Sequence, residues 1–230
     1  MSWRTFPCLA PTLAVTLFVL SAAAAADDRG WYATAALGGA DYRMDLDSQF
    51  RAACGTRCGV YSADLSSSSS VAYRLGGGYR LNSWLALELA YVDLGRAKSH
   101  YDLLTEQNVR ARIDGKYQVD GVQALLVGSW PVSDSLSVFG KLGLFQSRLR
   151  YSETGRVQIS YGPHAFTAPN DNATQASFGL GVEYRFNPHW SARLDWDRYP
   201  GIGRTVAFAD TDNGRFDSVN SYLVGINYRY

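Results

Sequence analysis

Asp217-Ser-Val-Asn-Ser-Tyr222-Leu-Val224-Gly-Ile226-Asn-Tyr228-Arg-Tyr230 is the stretch whose reading decides the fold. From Tyr222 on, every second residue is apolar or aromatic, with Gly225, Asn227 and Arg229 between them. Alternation with period two marks a strand with two unlike faces. Chain ends fray, so a soluble domain rarely closes on one of its most apolar strands. A transmembrane barrel does so readily, because its last strand pairs with its first and removes both sheet edges. On this reading Tyr222, Val224, Ile226, Tyr228 and Tyr230 face lipid. Ser221, Gly225 and Asn227 face the lumen, and the pairing partner is the small-residue stretch at 31–40.

The same pattern recurs back along the chain. Residues 173–186 set Ala176, Phe178, Leu180, Val182, Tyr184 and Phe186 against Ser177, Gly179, Gly181, Glu183 and Arg185. Residues 190–199 set Trp190, Ala192, Leu194 and Trp196 against Ser191, Arg193, Asp195 and Asp197. In 136–148, Val138, Leu142 and Leu144 oppose Phe139, Lys141, Gly143 and Phe145. In 117–130, Val122, Ala124, Leu126 and Trp130 oppose Gln123, Leu125, Val127 and Ser129. Residues 71–81 and 84–91 form a hairpin across Asn82-Ser83.

Short turns at Asn82-Ser83, Pro131-Val-Ser-Asp134 and Asn187-Pro-His189 alternate with long polar connections at 41–70, 94–115, 152–172 and 200–215. The second of these has room for a helical turn at 101–111. About eight strands of about ten residues predict an all-β fold: an eight-stranded antiparallel up-and-down transmembrane β-barrel, with short periplasmic turns and longer outer loops. A soluble barrel would turn its apolar face inward. Here the apolar face carries bulky aromatics at its strand ends, and the other face is mostly Gly, Ala and Ser with isolated charges. That suits a lipid-facing surface around a narrow, filled lumen.

Composition agrees: 13% aromatic, with 22 Gly, 15 Tyr and 6 Trp, favours strands and interfacial belts. A net charge of +1 and the absence of a basic run exclude a nucleic-acid partner. Residues 1–26 read as a signal peptide: Arg4, an apolar run from Leu9 to Leu20, then small residues from Ser21 to Ala26. The mature chain is then 27–230, with no run apolar and long enough for a transmembrane helix. Of the mature cysteines, Cys54 and Cys58 lie close together in a polar stretch, as a local disulfide in an oxidising compartment or as two free thiols. A metal site would need further ligands nearby. No cofactor is expected.

Leu94-Gly-Arg96, Gly121-Val-Gln123, Gly181-Val-Glu-Tyr-Arg-Phe186-Asn-Pro188, Ala192-Arg-Leu-Asp-Trp196, Asp212-Asn-Gly214 and Gly225-Ile-Asn-Tyr-Arg-Tyr230 follow one another in a particular order and spacing. In this the chain resembles the membrane domain of the outer membrane protein A family, over about residues 30–230. The resemblance implies a bacterial outer-membrane location. It also implies contact with outer-membrane lipid and lipopolysaccharide, and a final strand read by the outer-membrane assembly machinery. Many members carry a second, peptidoglycan-gripping domain that this sequence does not include. The resemblance further implies a lumen charge cluster of Glu88, Lys141, Glu183, Arg193 and Asp195; each also has inward parity. The family's inward lysines on the first and fourth strands match Ala36 and Val127 here, and Arg74 and Arg185 have the parity to compensate. Such a cluster is a fixed polar plug or a gate that exchanges partners.

Enzymatic residues are sparse. His189-Trp-Ser191 has the His-x-Ser spacing of lipid A deacylases, yet it falls in a turn on the side away from the outer leaflet. His100 and His164 lie in long connections, and Asp210-Thr-Asp-Asn-Gly214 lacks the spacing and closing Glu of a calcium loop. The expectation is therefore a non-enzymatic structural barrel that supports outer-membrane integrity, with loops open to host or phage contacts. A small, low-conductance diffusion channel is the alternative; a lipid-modifying enzyme stands behind both.

Overall fold

The computed structural model describes residues 29–43, 59–67, 69–104, 110–157, 164–167, 171–202 and 216–230. Residues 1–26, Cys54, Cys58 and the Asp210–Gly214 motif lie outside these.

The described strands are β1 (Gly30–Arg43), β2 (Gly59–Ser67), β3 (Ser69–Arg80), β4 (Leu85–Leu104), β5 (Arg110–Pro131), β6 (Leu136–Val157), β7 (His164–Thr167), β8 (Asp171–Arg185), β9 (Trp190–Ile202) and β10 (Phe216–Arg229). Eight of them, β1, β3, β4, β5, β6, β8, β9 and β10, form a closed, wholly antiparallel barrel. The seam closes as the final stretch requires: β10 pairs with β1, with Val224 opposite Leu37 and Ile226 opposite Ala35. The remaining two strands extend the ladders outside the ring. β2 pairs with the far end of β4, and β7 pairs with the far end of β6.

Each short turn is held by a polar side chain close to its start. Asn82 Oδ1 accepts from the amides of Trp84 (3.0 Å) and Leu85 (2.8 Å). Asn187 Oδ1 accepts from His189 and Trp190, each at 2.9 Å. Ser133 Oγ accepts from the Leu136 amide at 3.1 Å. These side chains substitute for missing ladder bonds, which is why Asn and Ser sit there.

Two sequence readings need correction. Residues 94–104 and 110–115 are strand, where a loop is expected. β4 and β5 run through them as one long ladder, from Arg96 opposite Gln118 to Leu104 opposite Arg110. The other long connections also begin later than expected, since β6 runs to Val157 and β9 to Ile202, and β2 occupies part of 41–70. The cause is environmental. Beyond the membrane the outward face meets water and becomes polar, while the inward face stays apolar through Leu94, Ala97, Tyr117 and Val119. A bulge keeps the faces in step: Gly95, at φ 78°, sits where the register shifts between Asp93 and Arg96. Its amide donates to Asp93 Oδ1 at 2.7 Å.

Outward residues are exposed and apolar along the middle of every ring strand, including Leu37, Leu75, Leu89, Leu126, Leu142, Leu180, Leu194 and Val224. Aromatics bracket this band. Trp31, Trp84, Trp130, Phe186, Trp190 and Tyr230 are exposed at the turn end. Tyr91, Phe178 and Tyr222 are exposed toward the other end. From Phe178 to Phe186 the strand covers about 27 Å at ~3.4 Å per residue. Tilted by about 40°, that spans roughly 20 Å, close to the apolar height of an outer-membrane barrel. A ring with no free edge resists detergent, so the unheated barrel is expected to migrate apart from the heated chain on a denaturing gel. A lipid-inserted sample with one unchanging band would contradict closure.

Candidate functional site: the lumen ion-pair network

The inward face of the barrel carries charges that cannot be left unpaired away from water. Glu88 on β4 and Arg193 on β9 stand diametrically opposite in the ring. Arg193 Nη1 nevertheless reaches Glu88 Oε1 at 2.5 Å, so the pair spans the whole lumen. The Tyr32 hydroxyl, from β1, donates to the same oxygen at 2.8 Å. Arg193 Nη2 continues to Asp195 Oδ1 at 3.1 Å. Lys141 Nζ, from β6, lies 2.6 Å from both Asp195 Oδ1 and Asp197 Oδ1. Arg74, from β3, closes the set: Nη1 donates to Asp197 Oδ2 at 2.9 Å, and Nη2 faces Asp195 Oδ2 at 2.8 Å. Three cations thus meet three carboxylates, with side chains of Arg74, Lys141, Glu88, Asp195 and Asp197 all at 0% exposure. The guanidinium of Arg193 also stacks over Phe139, 4.4 Å from the ring centroid.

The structure brings Glu88, Lys141, Arg193 and Asp195 into one network. It places Glu183 in an adjoining layer toward the turns, where Ser191 Oγ donates to it at 2.5 Å. Arg80 and Arg229 approach the Glu183 carboxylate at 3.6 and 3.7 Å. Arg74 belongs to the main network; Arg185 is only half-buried. Sequence reasoning missed Tyr32, Arg80 and Arg229, and did not single out Asp197. Arg80 shares parity with Arg74 and was legible by that rule. Tyr32 was masked by its residue type, since an aromatic in a lipid-facing barrel reads as outward. Ala36 and Val127, where the family resemblance places inward lysines, are both buried inward. Their register partners are Arg74 and Lys141, so each lost position has a cation beside it on the next strand.

Room for these side chains comes from glycine. A Cβ on Gly179 would run into Asp197 Oδ1 and crowd Lys141, and one on Gly181 would run into the Phe139 ring. Above and below the charges the lumen is also filled. Tyr32, Ala86, Leu125, Val127 and Phe139 pack together on one side. On the other, Tyr42, Leu94, Tyr117, Val119, Phe145, Tyr199 and Ile202 belong to a larger apolar cluster. Gln123 Nε2 donates to Ser177 Oγ at 3.1 Å, tying β5 to β8, which are not ladder neighbours.

His189 and Ser191 do not converge. His189 is exposed in its turn, with Nδ1 3.1 Å from the Arg229 carbonyl oxygen. Ser191 is buried in the lumen against Glu183. The side chains of His100 and His164 lie outside the described set.

A closed ring, an apolar band between aromatic belts, and a charge-filled interior define a small transmembrane β-barrel of the bacterial outer membrane. The chain belongs to the outer membrane protein β-barrel domain family, whose model matches residues 10–230. Within it the chain is OmpA-like. It is 26% identical over 224 residues to outer membrane protein A of Salmonella typhi, covering 96% of this chain and 54% of that protein. With outer membrane protein P5 of Haemophilus influenzae it shares 29% over 173 residues, 70% of this chain and 45% of that one. The chain thus spans about half the length of these curated relatives. Among solved structures, Neisserial surface protein A aligns at a TM-score of 0.47 and 13% identity, covering 87% of this chain and 97% of that one. Ail of Yersinia pestis, in complex with the heparin analogue sucrose octasulfate, aligns at 0.43 and 14%, covering 87% and 99%.

Proposed function

We propose that this protein is a structural barrel of the outer membrane, supporting envelope integrity, with a lumen plugged by a fixed ion-pair network. The observation that supports this reading best is the Glu88–Arg193 contact across the full lumen, extended through Asp195 to Lys141 and Arg74. A permanently open pore needs a water path past these side chains, and an eight-stranded ring is only wide enough to be filled. In this reading residues 1–26 are a cleaved export signal, and Cys54 and Cys58 staple the first long connection. The assembly machinery reads the Tyr222–Tyr230 strand, and the long connections face outward, available to host or phage surfaces.

Planar-bilayer recording of the refolded barrel tests the plug. Rare, small conductance steps are expected. Large, permanently open steps would replace the structural reading with that of a small diffusion channel. A deletion strain is expected to show weakened resistance to detergent.

A further inference from the structure

Beyond the main network, at the turn end of the lumen, lies a cavity of about 230 Å³. Arg29, Gly30, Arg80 and Arg229 line it, together with the aromatic residues Trp31 and Tyr230. Register explains the grouping. Arg80 stands opposite Gly30 across the β1–β3 ladder, and Arg229 opposite Tyr32 across the β1–β10 ladder. Ladder partners share a face, as do residues two apart on one strand. Tyr32 points inward to Glu88, so Gly30, Arg80 and Arg229 have the inward face too. The start of β1 thus has an arginine on either side and no side chain of its own between them. A Cβ on Gly30 would meet nothing within 4 Å, which marks a real hollow.

The donors of Arg80 are poorly matched by acceptors. Arg80 is 8% exposed, and its Nε has no hydrogen-bond partner. Its Nη2 lies 3.6 Å from Glu183 Oε2, too far for a hydrogen bond. A guanidinium carries five N–H donors, and burying such donors without acceptors is costly. Glu183 is engaged elsewhere: Oε1 accepts from Ser191 at 2.5 Å and from Asn227 at 3.4 Å, and Arg229 Nη2 stands 3.7 Å from it. Among the described residues no acidic side chain lines the cavity itself. A cleft lined by one sign of charge concentrates ions of the other sign.

We infer that this cavity binds a small, free oxyanion of the phosphate class, held by Arg80 and Arg229 with Arg29 beside them. Guanidinium forks match the oxygens of such an anion in pairs. The volume lies below the roughly 300–1,000 Å³ of sites for drug-sized ligands, so a polymer or a sugar does not fit. Several cations around one hollow favour a doubly charged anion over a monocarboxylate. The site is assembled across the seam, from β1, β3 and β10, so the anion binds the closed ring and stabilises it by mass action. In the orientation proposed above, the turn end draws its anion from the periplasm; binding to the isolated barrel does not depend on that orientation.

The test titrates the refolded barrel, in a phosphate-free detergent, into inorganic phosphate and follows the phosphorus NMR line. Saturable broadening is expected, reversed by sulfate but not by chloride at the same ionic strength. R80Q is expected to bind about tenfold more weakly, as the loss of a charge-assisted hydrogen bond implies. G30V keeps every charge but fills the hollow, and is expected to lose binding at least as far. It gives the readout if R80Q does not fold, which the gel shift reports. R43Q, at the opposite end of β1, is expected to match the parent. Phosphate is also expected to raise the temperature of the gel shift in the parent and not in G30V. Broadening that does not saturate, that chloride reverses equally, or that survives both R80Q and G30V would overturn the assignment. So would binding of short-chain phosphatidylglycerol without binding of inorganic phosphate, which would make the cavity a lipid headgroup site.

Discussion

Arg193→Met is expected to destabilise the barrel by about 3–5 kcal/mol, the cost of stranding a buried charge whose partner is removed. Glu88 accepts from Arg193 and from Tyr32, and its side chain has 0% exposure. Without Arg193 no other cation lies within ion-pair distance of it among the described residues; Lys141 and Arg74 are held by Asp195 and Asp197. Asp195 by contrast keeps two cations, so the loss concentrates on Glu88. The double variant Glu88→Leu/Arg193→Met removes both charges and is expected to recover more than half of the loss, because an apolar replacement of a buried pair is often close to neutral. Urea unfolding in lipid vesicles, run as a double-mutant cycle, measures both. Additive losses would mean that the two side chains do not act as a pair, and the cross-lumen contact would have to be abandoned. The same variants in planar bilayers connect stability to function: the double variant keeps the lumen filled and is expected to stay nearly silent.

Leu142→Arg is expected to destabilise insertion by about 2–4 kcal/mol, the depth-dependent cost of a cation on the lipid face near the midplane. Leu142 is 63% exposed and lies in the apolar band between Leu126 and Phe178. One residue away, Lys141 is fully buried in the lumen. The contrast is the point: a cation at 141 is required and a cation at 142 is excluded, because successive side chains face opposite solvents. The heat-dependent gel shift after refolding into vesicles reads the folded fraction. A conservative change at inward Ser177 is expected to leave it unaltered. If Leu142→Arg refolds as well as the parent, the assignment of inside and outside is reversed.

Much of this was legible because a membrane barrel writes its environment into alternate residues. Leu142 beside Lys141, or Leu194 between Arg193 and Asp195, can only be explained by two unlike faces, so strand identity and facing followed directly. Strand length did not. Above the membrane both outward solvent and loop composition are polar, so the ladder through 94–104 and 110–115 reads as a loop in the sequence. Its inward residues Leu94 and Ala97 carry the alternation, but the bulge at Gly95 and the charges around them obscure it. Parity also could not distinguish an inward tyrosine from an outward one, and Tyr32 was missed for that reason.

The sequence by itself determined the class of fold, the location of the seam and which charges point inward, since each of these depends on local alternation between lipid and lumen. Only the tertiary structure decided who pairs with whom. Glu88 and Arg193 lie 105 residues apart and on opposite walls. Their meeting depends on barrel diameter and ladder register, with Gly179 and Gly181 leaving space for the neighbouring Lys141, Asp197 and Phe139. None of these is a property of any one strand.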